Sequence, residues 1–200
     1  SLVVKVDDEV LAIASELGSE GACRVLESSS GRVFVEQFMP RPTLIVVGAT
    51  HVAIHLCRMA SEAGFRVVVV EPRPVFARDE RLLADEVVER WPAEALAGRR
   101  LDGNTYLVTL THDEKFDIPA LCAALRSDIA YVGAIGSRNT HERRKLRLAG
   151  EGLAAEDIAR VHSPVGLDLG SRDPAGIAVS ILSEVLATRY GRSGGSLRDR

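Results

Sequence analysis

Two hundred residues are enough for one full-sized domain with a small appendage and a sizeable buried core, and too few for two equal domains. The composition, 46% hydrophobic and 26% charged, excludes disordered and collagenous classes. The longest apolar stretches, Leu44 to Val47 and Val67 to Val70, are strand-sized and far below the roughly 20 residues that cross a bilayer, which argues against a membrane partner. A net charge of -3 with a pI near 6.0 argues against nucleic acid, which needs a basic surface or stripe.

No charged-then-apolar leader opens the sequence. Cys23, Cys57 and Cys122 are odd in number, far apart and without a Cys-x-x-Cys spacing. They read as buried reduced thiols rather than as a disulfide framework or zinc site, so no metal site is expected and the expected compartment is the cytoplasm.

Residues 1–40 differ from the rest. Asp7 to Leu17 has apolar residues at helical spacing and is stopped by Gly18 and Gly21. Cys23 to Glu27 and Arg32 to Phe38 are β-type runs around Ser28 to Gly31, which predict a hairpin. Met39-Pro-Arg-Pro42 is a stiff extended linker, and the domain boundary is placed there.

From Thr43 short apolar runs alternate with longer amphipathic ones, the pattern of βαβ units on a parallel sheet. Leu44 to Val47, His51 to Ala63 and Phe65 to Val70 form one complete βαβ unit around a glycine loop at Gly48. Further strands are predicted at Glu86 to Arg90, Thr105 to Leu110 and Ile129 to Val132. Helices are predicted at Pro92 to Ala97, Ile118 to Leu125, from the Ser137 cap to about Ala149, and at Ala155 to Arg160. Asp173-Pro174 caps a last helix that Gly191 ends. The fold class is therefore α/β, a Rossmann-like parallel sheet with helices on both faces over residues 41–190. A small α+β segment precedes it, and a Gly, Ser and charge-rich tail at 191–200 is expected to be disordered.

Ligands of open parallel sheets bind at the carboxyl ends of the strands, near the reversal of strand order. Gly48-Ala-Thr-His-Val-Ala53 stands where a dinucleotide fingerprint would read G-x-G-x-x-G/A, but Thr50 puts a Cβ where glycine lets the backbone approach a pyrophosphate. Glu71, 23 residues after Gly48, stands where an acid binds a ribose hydroxyl. An NAD(P) site is thus suggested by context and weakened by Thr50; the bland alternative is a tight turn and a strand-end acid.

Two more loops open on the same rim. Thr109 to Asp117 carries His112 and Asp113, which can bind a ligand or move a proton, although a lone histidine is more often a surface or capping residue. Gly133 to Arg138 combines Gly133, Gly136, Ser137 and the Arg138 cation at a helix start, an anion site or simply a capping turn. The run Arg143 to Arg147 reads as a solvated face, and Asp168 lies in a glycine-punctuated loop, Pro164 to Arg172. With no G-x-S-x-G elbow, H-E-x-x-H or Walker loop, hydrolase and NTPase readings rank low.

Taken in order, Gly48-Ala-Thr-His-Val-Ala, Glu71-Pro-Arg73, Thr111-His-Asp-Glu-Lys-Phe-Asp117, Gly133-Ala-Ile-Gly-Ser-Arg138 and Gly166-Leu-Asp-Leu-Gly-Ser-Arg-Asp-Pro174 resemble the XdhC/CoxI family over about Arg41 to Arg189. Its members are accessory proteins of molybdenum hydroxylases such as xanthine dehydrogenase and carbon monoxide dehydrogenase. The resemblance implies a chaperone rather than a catalyst, one that binds molybdenum cofactor (molybdopterin), protects it during sulfuration and delivers it to the apo molybdenum hydroxylase. A cysteine desulfurase is a further implied partner, and a homodimer stays open.

The matching family positions are Gly48, His51, His112, Asp113, Lys115, Asp117, Gly133, Gly136, Ser137, Arg138, Gly166, Asp168 and Gly170. The sequence departs from the family at Thr50, where glycine is usual, and at Ala53, where another small residue is frequent. Family members also carry a fuller N-terminal domain than residues 1–40, so either a truncated relative or a sequence that lacks its beginning is expected. No catalytic residue is assigned. The alternatives are an NAD(P)-dependent oxidoreductase and a non-catalytic assembly module whose N-terminal hairpin pairs with a further protein chain.

Overall fold

A parallel sheet is covered on both faces, so its central strands must be apolar at every position. Val67, Val68, Val69 and Val70 expose no surface, and each such burial contributes about 1.5–3 kcal/mol. The computed structural model describes residues 23–28, 31–36 and 40–199, in a chain that divides into two units at Pro40 and Arg41. In the first unit, β1 (Cys23–Ser28) and β2 (Gly31–Glu36) pair antiparallel, Cys23 opposite Glu36 and Ser28 opposite Gly31. The helix predicted over Asp7 to Leu17 lies outside the described residues.

The second unit runs β3 (Thr43–Val47), α1 (His51–Glu62), β4 (Arg66–Val70), α2 (Pro74–Ala77), β5 (Glu86–Val88), α3 (Pro92–Leu96) and β6 (Thr105–Thr109). It continues with α4 (Glu114–Leu125), β7 (Tyr131–Ala134), α5 (Arg138–Gly150), α6 (Ala155–Ala159), β8 (Val161–His162), α7 (Pro174–Arg189) and a 3-10 turn, Leu197–Asp199. All neighbouring strands are parallel, in the order β5-β4-β3-β6-β7-β8. Counted from β3 this is the 3-2-1-4-5-6 order of the Rossmann fold, reversing between β3 and β6.

Alternate strand residues feed two cores. Leu44, Val46, Val67, Val69 and Val108 pack with Leu56 and Ala60 of α1 and Ile181 and Val185 of α7. Ile45, Val47, Val68, Val70 and Leu107 pack on the other face with Leu96 of α3, Leu121 and Leu125 of α4, Leu148 of α5 and Ile158 of α6. Both faces are therefore covered by helices. Cys57 and Cys122 are buried free thiols, and burial pushes Cys57 up to about 12.

Besides the short α2, which no sequence signal predicted, three elements differ from expectation. Helix α4 starts at Glu114 rather than Ile118, because the Asp113 carboxylate caps it by accepting the Lys115 amide at 2.9 Å. Strand β7 is shifted to Tyr131–Ala134, so Gly133 is a strand residue rather than part of a loop. A Cβ there would lie 2.6 Å from Val165 and 2.9 Å from the Tyr131 ring, so this glycine answers to packing. The two-residue β8 is too short to leave a periodic signal.

Gly48 has a φ of 99°, and a Cβ there would stand 2.4 Å from Cγ2 of Thr111 in the loop after β6. It is both a turn and a point of close approach. Gly64, with a φ of 86° and open space around it, serves only as a turn. Gly48→Ala should therefore destabilise by about 3 kcal/mol or more, from left-handed strain plus overpacking, and Gly64→Ala by about 1 kcal/mol. Adding Thr111→Ser, which removes the clashing methyl, should recover much of the difference in urea-denaturation midpoint.

Candidate functional site

The carboxyl ends of β3 and β6 stand side by side, tied by the Leu110 amide donating to the Val47 carbonyl at 2.8 Å. Above them opens a cleft of about 960 Å³ whose walls include Thr50, Arg73, His112, Asp113, Lys115 and Arg143. This is where an open α/β sheet takes its ligand, and the volume suits a small-molecule site. A second cavity of about 490 Å³ lies on the β4 side and shares Thr50 and Arg73 with the first; His51 and Phe76 are also in its wall.

The residues singled out from sequence separate into distinct places. Thr50, His112 and Asp113 line the main cleft, and His51 lines the second cavity. The Thr50 hydroxyl caps α1 by accepting the Ala53 amide at 3.3 Å. Ser137 caps α5, accepting the Thr140 amide at 3.2 Å, and Gly136, with a φ of 141°, makes the turn before it. Arg138 is exposed at the first position of α5 and is not part of the cleft wall. Asp168 is exposed in a separate cavity of about 360 Å³, beside Arg172 and Ser180.

Glu71 is fully buried beneath the rim. Its Oε1 accepts the Arg73 amide at 3.0 Å and Arg73 Nε at 2.8 Å, and its Oε2 accepts the Ala49 amide at 3.0 Å and Arg73 Nη2 at 2.8 Å. Burial alone would raise this carboxyl, but the bonds from Arg73 and the two amides outweigh it and hold it below the usual glutamate range. Arg73 in turn lies over the Phe76 ring at 4.4 Å and near Phe116 at 5.3 Å. Trp91 stacks on Phe116, their centroids 5.0 Å apart.

The loops around the cleft are joined by a buried ion pair. Asp117 Oδ1 accepts the Thr111 hydroxyl at 2.5 Å, and Oδ2 faces Arg144 Nη2 at 3.3 Å. Arg144 also donates to the Ile135 carbonyl at 2.9 Å and to Ser163 Oγ at 3.0 Å. Burial pushes the Asp117 carboxyl above its ordinary range, although Thr111 and Arg144 pull it down. The expectation of a solvated face from Arg143 to Arg147 thus fails at Arg144, which is 5% exposed. The sequence holds a usable signal: Leu148 is buried in α5, and Arg144 lies one helical turn before it on the same face.

Lys115, one of the matching family positions, lines the cleft, and so do Arg73, Arg143 and Arg147, to which the sequence assigned no site role. Arg147 lies 3.5 Å from Glu114. Among the described residues Lys115 and Arg143 have no acidic partner, which leaves two free cations on opposite helices of the cleft. Among the described residues there is also no group of three or more His, Cys, Asp or Glu placed to hold a metal ion, and no helix long and apolar enough to cross a membrane.

At the β8 edge, Glu184 of α7 accepts the Tyr131 hydroxyl at 2.5 Å and the Gly166 amide at 2.8 Å, and meets His162 Nδ1 at 3.2 Å. Burial works to raise its carboxyl, yet these donors bring it below the ordinary range. Gly166, with a φ of 102°, sits so close to α7 that a Cβ would be 2.4 Å from Ser180 Oγ.

The family model of the XdhC Rossmann domain matches residues 44–185. A probable xanthine dehydrogenase subunit of Bacillus subtilis (strain 168) is 29% identical over 158 residues, 78% of this chain and 46% of that protein. The molybdenum cofactor insertion chaperone PaoD of Escherichia coli (strain K12) is 34% identical over 103 residues, 52% of this chain and 32% of that protein. The chain spans less than half the length of these curated relatives. Its fold matches the crystal structure of a xanthine dehydrogenase from Bacillus halodurans with a TM-score of 0.70 at 21% identity, covering 92% of this chain and 66% of that one.

Two measurements check the internal wiring of the site. Arg144→Leu strands a buried carboxylate and should cost about 3–5 kcal/mol in chemical denaturation, with Asp117→Asn in the same chain restoring part of it. Glu71, its folded value lowered, stabilises the fold above the ordinary glutamate value of about 4.3, and that contribution is lost as pH falls through the folded value. Glu71→Gln should accordingly lower stability at pH 7 and flatten the acid limb of the stability curve below the ordinary glutamate value.

Proposed function

The chain belongs to the family of the XdhC Rossmann domain, and from that premise we propose that it serves as an accessory protein of a molybdenum hydroxylase, holding molybdenum cofactor as cargo. The cleft receives the cofactor while its sulfuration is completed, with a cysteine desulfurase as donor partner, and the cofactor then passes to the apo-enzyme. Two relatives, one named for molybdenum cofactor insertion and the other for xanthine dehydrogenase, support this reading.

The observation that carries it is the pair of unpartnered cations on the cleft. Lys115 on α4 and Arg143 on α5 supply two positive charges that suit the phosphate of a pterin cofactor, and charge-assisted bonds to phosphate are the strong ones. His112, exposed on the same wall, contacts the rest of the cargo and can donate to it or accept from it. Cys57 and Cys122 are buried and their thiols are pushed up, so neither is poised to ligate the metal end. Grip by phosphate and pterin suits a carrier that must release what it holds. The anion site expected at Gly133 to Arg138 is accordingly moved to the facing helices α4 and α5.

Wild type and a Lys115→Glu, Arg143→Glu variant, purified from cells that make the cofactor, should differ by at least about tenfold in oxidised-pterin fluorescence per protein, since two charge-assisted contacts are reversed. Both positions are exposed, so thermal unfolding should be nearly unchanged. Equal pterin retention by the two proteins removes the reading.

A further inference from the structure

Glu71 occupies the place from which a dinucleotide fold reads a ribose, but it is wired inward. A carboxylate offers about four lone-pair sites, and here four donors fill them, two on each oxygen. The side chain reaches no solvent. A ribose hydroxyl therefore finds neither a path nor an acceptor, and one of the four donors is the Ala49 amide of the loop that would face a pyrophosphate. The residues present do not fit NAD.

The same bonds fix Arg73. Its Nε and Nη2 are committed to Glu71, while among the described residues Nη1 meets no acceptor. The guanidinium is supported by the Phe76 and Phe116 rings, and its side chain is 46% exposed. It forms part of the wall of both cavities, the main one at the strand-order reversal and the second on the β4 side. A guanidinium held this way is a preorganised phosphate receptor, because little rotamer freedom remains to be lost when an anion arrives.

We propose that Arg73, with Glu71 as its positioning residue, determines the ligand class of the crevice: it joins Lys115 and Arg143 of the same cleft wall in anchoring a terminal phosphate, and it stands in place of the ribose-reading acid of an NAD site. A terminal phosphate carries close to two charges near neutral pH, whereas the bridging phosphates of NAD carry one each. The crevice thus selects phosphomonoesters and pyrophosphate ends over NAD. The inference rests on the proposed function in placing the ligand in this cleft, but not on the ligand being a pterin.

The test is calorimetric titration of the intact chain with inorganic pyrophosphate, NADP and NAD. Pyrophosphate should bind wild type and lose at least tenfold in affinity in Arg73→Ala. Arg73→Lys should lose several-fold, because a lysine keeps the charge but not the paired bonds to Glu71. Glu71→Gln should weaken pyrophosphate binding through the loss of positioning; if that variant fails to fold, the two Arg73 variants carry the test. NADP bound through its 2′-phosphate should likewise be lost in Arg73→Ala, and NAD should give no heat. NAD binding as tightly as NADP overturns the proposal, as does pyrophosphate that fails to bind wild type or binds Arg73→Ala equally well. Absence of copurified pterin alongside Arg73-dependent pyrophosphate binding would remove the chaperone reading and leave this one standing.

Discussion

Two charges taken out of water, on Asp117 and Arg144, set the geometry of the whole carboxyl rim. Neither residue exposes more than about a twentieth of its surface, and burying such a pair costs desolvation that attraction alone seldom repays. The difference is met by completing the hydrogen bonding: Thr111 donates to the acid, while the Ile135 carbonyl and Ser163 hydroxyl receive the base. Those partners sit in the segments after β6, β7 and β8. One guanidinium therefore fixes three strand-end segments relative to one another, and an apolar pair of equal volume would supply the packing without that register.

The position of the cleft follows from this tie together with the sheet. The β3–β6 pairing brings the Gly48 and Leu110 loops together, and the absence of a Cβ at Gly48 lets Thr111 close against it. Thr111 is thus packed from one side by the first loop and bonded on the other to Asp117. It also accepts the Asp113 amide at 3.3 Å, which orients the turn that presents His112 and starts α4. A change at Gly48 or at Arg144 converges on the same few atoms from opposite directions.

Much of this was legible in the sequence, for identifiable reasons. The alternating run from Thr43, the glycine at 48 and the Asp173-Pro174 cap are local signals of strand, turn and helix start, and the fold depends on them locally. The rim loops followed from topology. What escaped was set by partners distant in the chain, or by a side chain folding back. Glu71 reads as a ribose acid until Arg73, two residues later, is seen to turn onto it. Gly133 reads as loop because glycine breaks strand patterns, whereas it stays in β7 to leave space for Tyr131 and Val165. Leu146 is 76% exposed and Arg144 is buried, the reverse of what hydropathy alone assigns. Only the phase set by Leu148 tells them apart.

A chain with a net charge of -3 nevertheless turns cations toward its crevice, and the reason lies in what each acid is bonded to. Glu71, Asp117 and Glu184 are all consumed by donors beneath the rim. Of the acids on the cleft wall, Asp113 caps α4 and its charge also acts on Arg73, Glu114 lies beside Arg147, and Glu151 stands at the far end of α5. Lys115 and Arg143 have no such neighbour among the described residues, and nearly half of the Arg73 side chain is open. Net charge governs solubility and long-range encounter, but over the few ångströms of a cleft the sign of the field is set by which charges are already paired. Here Glu71 with Arg73, Asp117 with Arg144 and Glu114 with Arg147 cancel in place, and Lys115 and Arg143 are the cleft cations that no described acid pairs with, so an anion is favoured beside those two although the whole molecule is acidic.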